Sequence, residues 1–396
     1  MKVVLAYSGG LDTTVLLKIL QEKYNAEVIT LTLNLGQEKD YEEIEERAIK
    51  AGSIKHYNID AREEFAEEYV LPALKANALY QQKYPVSSAI SRPLIAKKLV
   101  EIAKKEGADA VAHGCTGKGN DQIRFDVTIK SLDPKIKVIA PVRELGLTRD
   151  WEIEYAKKRN LPVKISESPY SIDENLWGRS IECGVLEDPY QEPPEEIFKL
   201  TVSPEKANET PEIIKITFEN GKPIKLNDEH MRFKDLIIEL NHLAGKHGIG
   251  RIDHIEDRIV GLKSREVYEA PAAITLIEAH KDLEKLTLTS QELRFKQIVD
   301  DEWTYLSYAG LWMSPLRKAL EAFINETQKR VYGDVKLKLY KGSIICIGRR
   351  SEYSIYSKEI ATYEAWSTFN QKMAEGFVEI WGMQTVIANQ KLRDVK

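Results

Sequence analysis

The chain has 396 residues, more than one hydrophobic core usually organises, so two domains are expected. Hydrophobic residues make up 43% and charged residues 30%, and a net charge of −5 excludes a general electrostatic grip on nucleic acid. Cys115, Cys183 and Cys346 are too few and too scattered for a disulfide framework or a zinc site. No apolar run is long enough for a signal peptide or a membrane span, so a cytoplasmic protein is expected.

In chain order, residues 3–6, 27–33, 110–113 and 138–140 read as short buried strands, with helical spacing over 13–24 and 92–106 between them. This βαβ rhythm predicts an α/β domain with a parallel sheet, whose ligands bind at the carboxyl ends of the strands. The pattern changes near residue 166. Prolines at 189, 193 and 194 mark a loop, and alternating stretches (212–219, 335–340) then mix with helical ones (233–246, 315–331), as in an α+β domain. In the tail, helical spacing over 362–373 is expected to break at Gly376, with 377–381 extended and a closing helix over 385–393. Its apolar, Trp-bearing composition suits packing against another subunit. The expected domains are therefore 1–165, 166–360 and a tail, 361–396.

Ala6-Tyr7-Ser8-Gly9-Gly10-Leu11-Asp12-Thr13-Thr14 follows the first strand and opens the first helix. Two glycines let the backbone approach a ligand, the helix start offers N–H groups to an anion, and Ser8, Thr13 and Thr14 add hydroxyls. A helix cap alone would need less. The string is neither a Walker loop nor a dinucleotide fingerprint. It resembles the PP-loop of the N-type ATP pyrophosphatases, of the adenine nucleotide alpha hydrolase fold, which implies that it holds departing pyrophosphate.

The second motif is His113-Gly114-Cys115-Thr116-Gly117-Lys118-Gly119-Asn120-Asp121-Gln122-Ile123-Arg124-Phe125, after another expected strand. Alone it fits a polar surface turn with an Asp–Arg pair equally well. Cys115 lacks a nearby activating base, which points to packing. Beside the first motif, it closely resembles the second signature of the argininosuccinate synthases, G-x-T-x-K-G-N-D-x-x-R-F, at every fixed position. Similar stretches continue at Tyr80 to Tyr84, Ser91-Arg92-Pro93, Ser171 to Ser180, Ala244 into Glu256, and Lys263 into Tyr268.

The resemblance implies an AMP-forming carbon–nitrogen ligase of arginine biosynthesis that joins citrulline to aspartate through citrullyl-AMP, using ATP and Mg²⁺, as a homotetramer. It implies ATP contacts from Ala6 to Thr14, including Gly9, Gly10 and Leu11, with Leu33 on the adenine side and Gly114 also in contact. Citrulline falls to Tyr84, Ser88, Ala89, Arg92, Asn120, Arg124, Ser171, Ser180, Glu256 and Tyr268. Aspartate falls to Thr116, Asn120 and Asp121. Asp12, Lys118 and Asp121 are the catalytic candidates, and no residue set for a structural metal is implied. Ala89 stands where many members carry Ser, so a contact there requires its backbone N–H, or the Ser88 hydroxyl instead. If Asp121 serves aspartate and Arg124 citrulline, Asp121→Ala is expected to spare the adenylation step that Arg124→Ala abolishes. Among rivals, an amidotransferase-type synthetase lacks its N-terminal Cys here. A tRNA-thiolating enzyme would want a basic surface and paired cysteines, and a non-catalytic nucleotide sensor would not need the second domain.

Overall fold

The computed structural model describes residues 1–163 and 168–394, so the expected domain boundary at Ser166 lies outside the described residues. The first half builds a five-stranded parallel sheet from β1 (Lys2–Ala6), β2 (Glu27–Asn34), β3 (Lys55–Asp60), β4 (Ala110–Ala112) and β5 (Lys137–Ile139). Their order is β3-β2-β1-β4-β5. The central β1 buries Val3, Val4 and Leu5 completely, as a strand covered on both faces must. The strand order reverses between β1 and β4, and at such a switch point the adjoining loops diverge and leave a crevice. Both glycine-rich motifs begin there. Sequence periodicity missed β3, because its Lys-His-Tyr-Asn-Ile-Asp run is a polar edge strand without an apolar stretch.

Two helices matter for the site. The first, α1 (Leu11–Tyr24), buries Leu11, Val15, Leu16, Ile19 and Leu20, and ends at Asn25 with φ +47°. The helix Ser87–Glu106 begins well before the expected residue 92. Its first turn has no Ser, Thr or Asp cap. Instead the Tyr84 hydroxyl accepts from the backbone N–H groups of Ser88 (2.8 Å) and Ala89 (3.3 Å), a cap that sequence spacing does not announce. Val86 precedes it at φ +50°, a conformation that a buried β-branched residue adopts only when its surroundings enforce it.

The later strands are all antiparallel. β6 (Ser171–Asn175), β7 (Gly178–Glu182), β11 (Arg251–Asp257) and β12 (Lys263–Glu269) form a four-stranded sheet ordered β11-β12-β7-β6. A second sheet, β10-β9-β8-β13-β14, takes β8 (Glu212–Glu219), β9 (Lys222–Leu226), β10 (Glu229–His230), β13 (Gly333–Tyr340) and β14 (Ser343–Arg350). The helices Phe233–Gly245, Pro271–Thr287, Ser290–Tyr308 and Pro315–Gln328 pack among them. The expected α/β plus α+β class is what the chain adopts. One continuous core runs from Val4 and Ile29 to Phe218, Leu276 and Trp303, and Met1–Tyr353 is one compact unit.

Ser354–Lys396 is a separate unit and corrects the tail expectation. The stretch after the short helix Lys358–Ala361 is irregular rather than helical, and one 22-residue helix, Met373–Asp394, runs straight through Gly376 and Gly382. A helical glycine costs only about 1 kcal/mol against alanine and does not by itself stop a helix. Phe377 and Trp381, expected in an extended segment, instead stack one helical turn apart with ring centroids 5.7 Å apart. Among the described residues no helix is long and apolar enough to cross a membrane.

Candidate active site

The loop after β1 needs a glycine at position 9. Gly9 sits at φ +77°, and a Cβ there would lie 2.9 Å from Ile44 on α2 (Tyr41–Lys50). Gly10 is extended, caps α1 without a side chain, and stays open on its exposed face. The three hydroxyls divide. Ser8 and Thr13 pair at 3.1 Å at the cavity surface. Thr14 is fully buried, pairs with the Tyr7 hydroxyl at 2.9 Å and donates to the Gly10 carbonyl at 2.8 Å, so its hydroxyl braces the loop from behind. Gly9, Leu11 and Thr14 therefore shape the loop without reaching the cavity, whereas Ala6, Tyr7, Ser8, Gly10, Asp12 and Thr13 line it. Leu33 lines the same 270 Å³ cavity, with Leu31, Leu35, Ile95 and Phe125 making one wall apolar. Asp12 is exposed and close enough to Glu152 for its charge to act there: the Glu152 carboxyl is pushed up to about 8 by burial first and then by the Asp12 charge.

The second motif leaves β4 and turns into the helix Asp121–Leu132. Gly114 is required there, since a Cβ would meet Leu16 at 2.8 Å. The helix start presents Asp121 and Arg124 to a second cavity of 330 Å³. Asp121 is clamped between two guanidiniums: Arg92 Nε lies 2.9 Å from one oxygen and Arg124 Nη1 2.8 Å from the other. Arg92 also reaches Asp173 on β6 at 2.9 Å. Burial works to raise the Asp121 pKa, yet the two arginines prevail and hold it below the usual carboxylate value. Arg124 donates its Nε to the Tyr308 carbonyl at 3.0 Å, while its Nη2 is buried without a partner among the described residues.

Across the cavity, the Glu256 carboxylate on β11 accepts from two tyrosine hydroxyls, Tyr268 and Tyr308, each at 2.6 Å. Tyr268 stacks on Tyr84 at 4.3 Å and Tyr308 on Tyr80 at 3.5 Å. Asn120 donates to Tyr308 (2.8 Å) and accepts from the Ile259 N–H (2.9 Å), leaving one amide hydrogen uncommitted by these bonds. Ser180 faces Ser88 at 3.4 Å, and Ser171 and Thr116 line the same cavity. Two expected residues do not. The Lys118 side chain is exposed and lines neither cavity, its carbonyl accepting from Arg258 at 3.4 Å. Ala89 is fully buried, and its N–H is occupied by the Tyr84 hydroxyl. Arg92, Gly114, Cys115, Asp121 and Asp173 line both cavities, so the two spaces meet along this wall. Burial pushes the Cys115 thiol far up, which fits packing rather than nucleophilic attack.

Several residues of the site escaped the sequence reading. Tyr308 lines neither cavity and carries no motif, and only folding brings it beside Glu256. Arg258 bridges Glu182 (2.7 Å) and Glu266 (2.8 Å), and burial and Glu182 push the Glu266 carboxyl up to about 8. A signal for these two existed. Ser180 pairs with Tyr268 across β7 and β12, so Glu182 and Glu266, two residues away on each strand, share their face.

A parallel sheet with a Ser-Gly-Gly loop at its switch point, opening towards a polar cavity that the second motif and the later antiparallel strands line together, defines a nucleotide-using enzyme of the PP-loop class. Comparison with known proteins narrows this. Residues 2–162 match the arginosuccinate synthase N-terminal HUP domain and residues 170–388 the arginosuccinate synthase C-terminal domain. The chain is 62% identical over 395 residues to the argininosuccinate synthase of Pyrococcus furiosus, covering all of this chain and 96% of that one. It is 56% identical over 396 residues to that of Halalkalibacterium halodurans, covering all of this chain and 97% of that one. A solved structure, a predicted tRNA methyltransferase subunit from Methanocaldococcus jannaschii, is 18% identical with a TM-score of 0.29. It covers 40% of this chain and 76% of that one. The chain belongs to the argininosuccinate synthase family and is a ligase.

Proposed function

We propose that the two cavities divide the work of joining citrulline to aspartate at the expense of ATP. Residues 1–165 supply most of the nucleotide cavity, joined by Asp173 and Glu174, with adenine against Leu31 and Leu33 and the phosphates at Ser8, Gly10 and Thr13. Residues 166–360 complete the second cavity, for the two amino acids. The observation that carries this reading is Arg124 Nη2, a buried donor without a partner in the wall of that cavity. A guanidinium nitrogen held that way calls for a carboxylate or carbonyl acceptor, and citrulline offers both. Tyr84, Ser88, Arg92, Ser171, Ser180 and Tyr268 would surround it, with Glu256 opposite its ammonium.

In the first step the ureido oxygen forms a bond to the α-phosphorus and the bond to pyrophosphate breaks. In the second, the aspartate ammonium gives up a proton to solvent, the freed amine nitrogen bonds to the ureido carbon, the carbon–oxygen bond breaks, and AMP leaves. The shared wall at Arg92, Gly114 and Asp121 suits both transfers, since the reacting atoms must meet between the cavities. Asp121, kept ionised by its two arginines, would orient the aspartate ammonium rather than take its proton. Thr116 and the remaining Asn120 hydrogen suit the aspartate carboxylates. Among the described residues no cluster of three or more His, Cys, Asp or Glu makes a cation cage, which suits a Mg²⁺ that arrives on the nucleotide. Asp12 on the nucleotide cavity would hold it. When bound, the ion supplies charge screening for departing pyrophosphate. The exposed apolar helix Met373–Asp394, with Phe377 62% and Trp381 79% accessible, supports a homotetramer in which copies cover one another's tails.

Citrulline labelled with ¹⁸O in its ureido group tests the reading. The label is expected in AMP, with pyrophosphate released only when citrulline is present. Label in pyrophosphate, or ATP cleavage to ADP, would overturn it.

A further inference from the structure

The nucleotide cavity carries an unbalanced charge. Asp12, Asp121, Asp173 and Glu174 line it with only two cationic side chains, Lys39 and Arg92. Arg92 is committed to Asp121 and Asp173. The loop from Ser8 to Thr14 contains no Lys or Arg. Behind the loop, Arg47 is spent on the Gly9 carbonyl and on Glu43. A polyphosphate entering this space would meet more negative than positive charge.

Lys39 is differently placed. Its ammonium donates to the Ser8 carbonyl at 3.4 Å and makes no ion pair with any of the described residues, so two of its three hydrogens remain for a ligand. The loop that carries it is built rather than loose. Gln37 accepts from the Leu35 N–H at 2.7 Å and donates to the Leu33 carbonyl at 2.9 Å. Gly36 turns at φ +105°, and Asp40 caps α2 by accepting from the Glu43 N–H at 2.9 Å. Desolvation of the ammonium outweighs the pull of Asp173 and Glu174 and lowers its pKa. Lys39 itself is exposed at the cavity, so its ammonium stays within reach of an entering anion.

We propose that Lys39 is a phosphate-binding residue of the nucleotide cavity, holding the polyphosphate before cleavage and the pyrophosphate after it. The proposal rests on the reading of that cavity as the ATP site.

The experiment uses the full chain, its Lys39→Ala and Lys39→Arg variants, titration with inorganic pyrophosphate, and citrulline-dependent exchange of labelled pyrophosphate into ATP. Lys39→Ala is expected to weaken pyrophosphate binding and raise the KM for ATP by about tenfold or more, the loss of one charge-assisted contact. The KM values for citrulline and aspartate should hold, and Lys39→Arg should recover most of the loss. Unchanged pyrophosphate affinity and KM for ATP would overturn the assignment. So would equal losses for all three substrates, or failure of Lys39→Arg to recover, since either marks a loop-building role. If the parent chain itself shows no citrulline-dependent exchange, the ATP-site reading fails first, and Lys39 with it.

Discussion

Asp121→Ala removes the acceptor for two guanidiniums at once. Arg92 retains Asp173 as a partner, but among the described residues Arg124 retains only the Tyr308 carbonyl on its Nε and the Tyr308 ring beneath its guanidinium, with Nη2 already unpaired. Each charge-assisted bond contributes ~1.5–3 kcal/mol when buried. The Asp121 side chain is 31% exposed, so solvent takes part of that, and a loss of about 2–3 kcal/mol in folding stability is expected. Arg124, no longer tethered, should misplace citrulline. The sequence alone suggested that this substitution would spare adenylation, whereas the clamp predicts that pyrophosphate exchange falls together with product formation. Urea unfolding gives the first quantity, and exchange of labelled pyrophosphate with citrulline, without aspartate, gives the second. An Asp121→Ala protein with parental exchange and a stability within ~0.5 kcal/mol of the parent would show that Arg124 is held without Asp121, and the coupling would be wrong.

Glu152→Gln should stabilise the protein at alkaline pH. The Glu152 carboxyl binds its proton more tightly folded (about 8) than unfolded (near 4.5), so its burial costs increasing stability as pH rises between those values. A gain of at least about 1 kcal/mol at pH 8, vanishing below pH ~4, is expected from denaturant titrations, and a gain independent of pH would contradict it. Truncation before Ser354 should lower the oligomeric state in light scattering while Met1–Tyr353 stays folded. An unchanged mass per assembly would show that the tail is not the assembly element.

Local chemistry was legible where function depends on backbone. The Ser8-Gly9-Gly10 turn and the Gly114 to Arg124 motif each need glycines at particular places. Such requirements leave a mark in the chain itself, as Gly9 against Ile44 and Gly114 against Leu16 demonstrate. The βαβ rhythm was equally legible, because buried parallel strands must be continuously apolar. The polar edge strand β3 was not, since an edge exposes alternate residues. In the tail, Gly376 reads as a stop signal in the sequence, yet the helix runs on through it.

By itself, the sequence determined the fold class and the two loops at the switch point, because each depends on neighbours a few positions away, whereas the cavity residues outside those loops were named only through the family resemblance. Only the tertiary structure decided how those residues are engaged. It turned the Thr14 hydroxyl inward, gave the Ala89 N–H to Tyr84, and left the Lys118 side chain outside both cavities. It also set Asp121 between Arg92 and Arg124, and brought Tyr308 to Glu256 from 52 positions away. A side chain has more possible partners than positions in the motif that contains it. Which partner wins is settled by packing across elements, where direction and burial are fixed together.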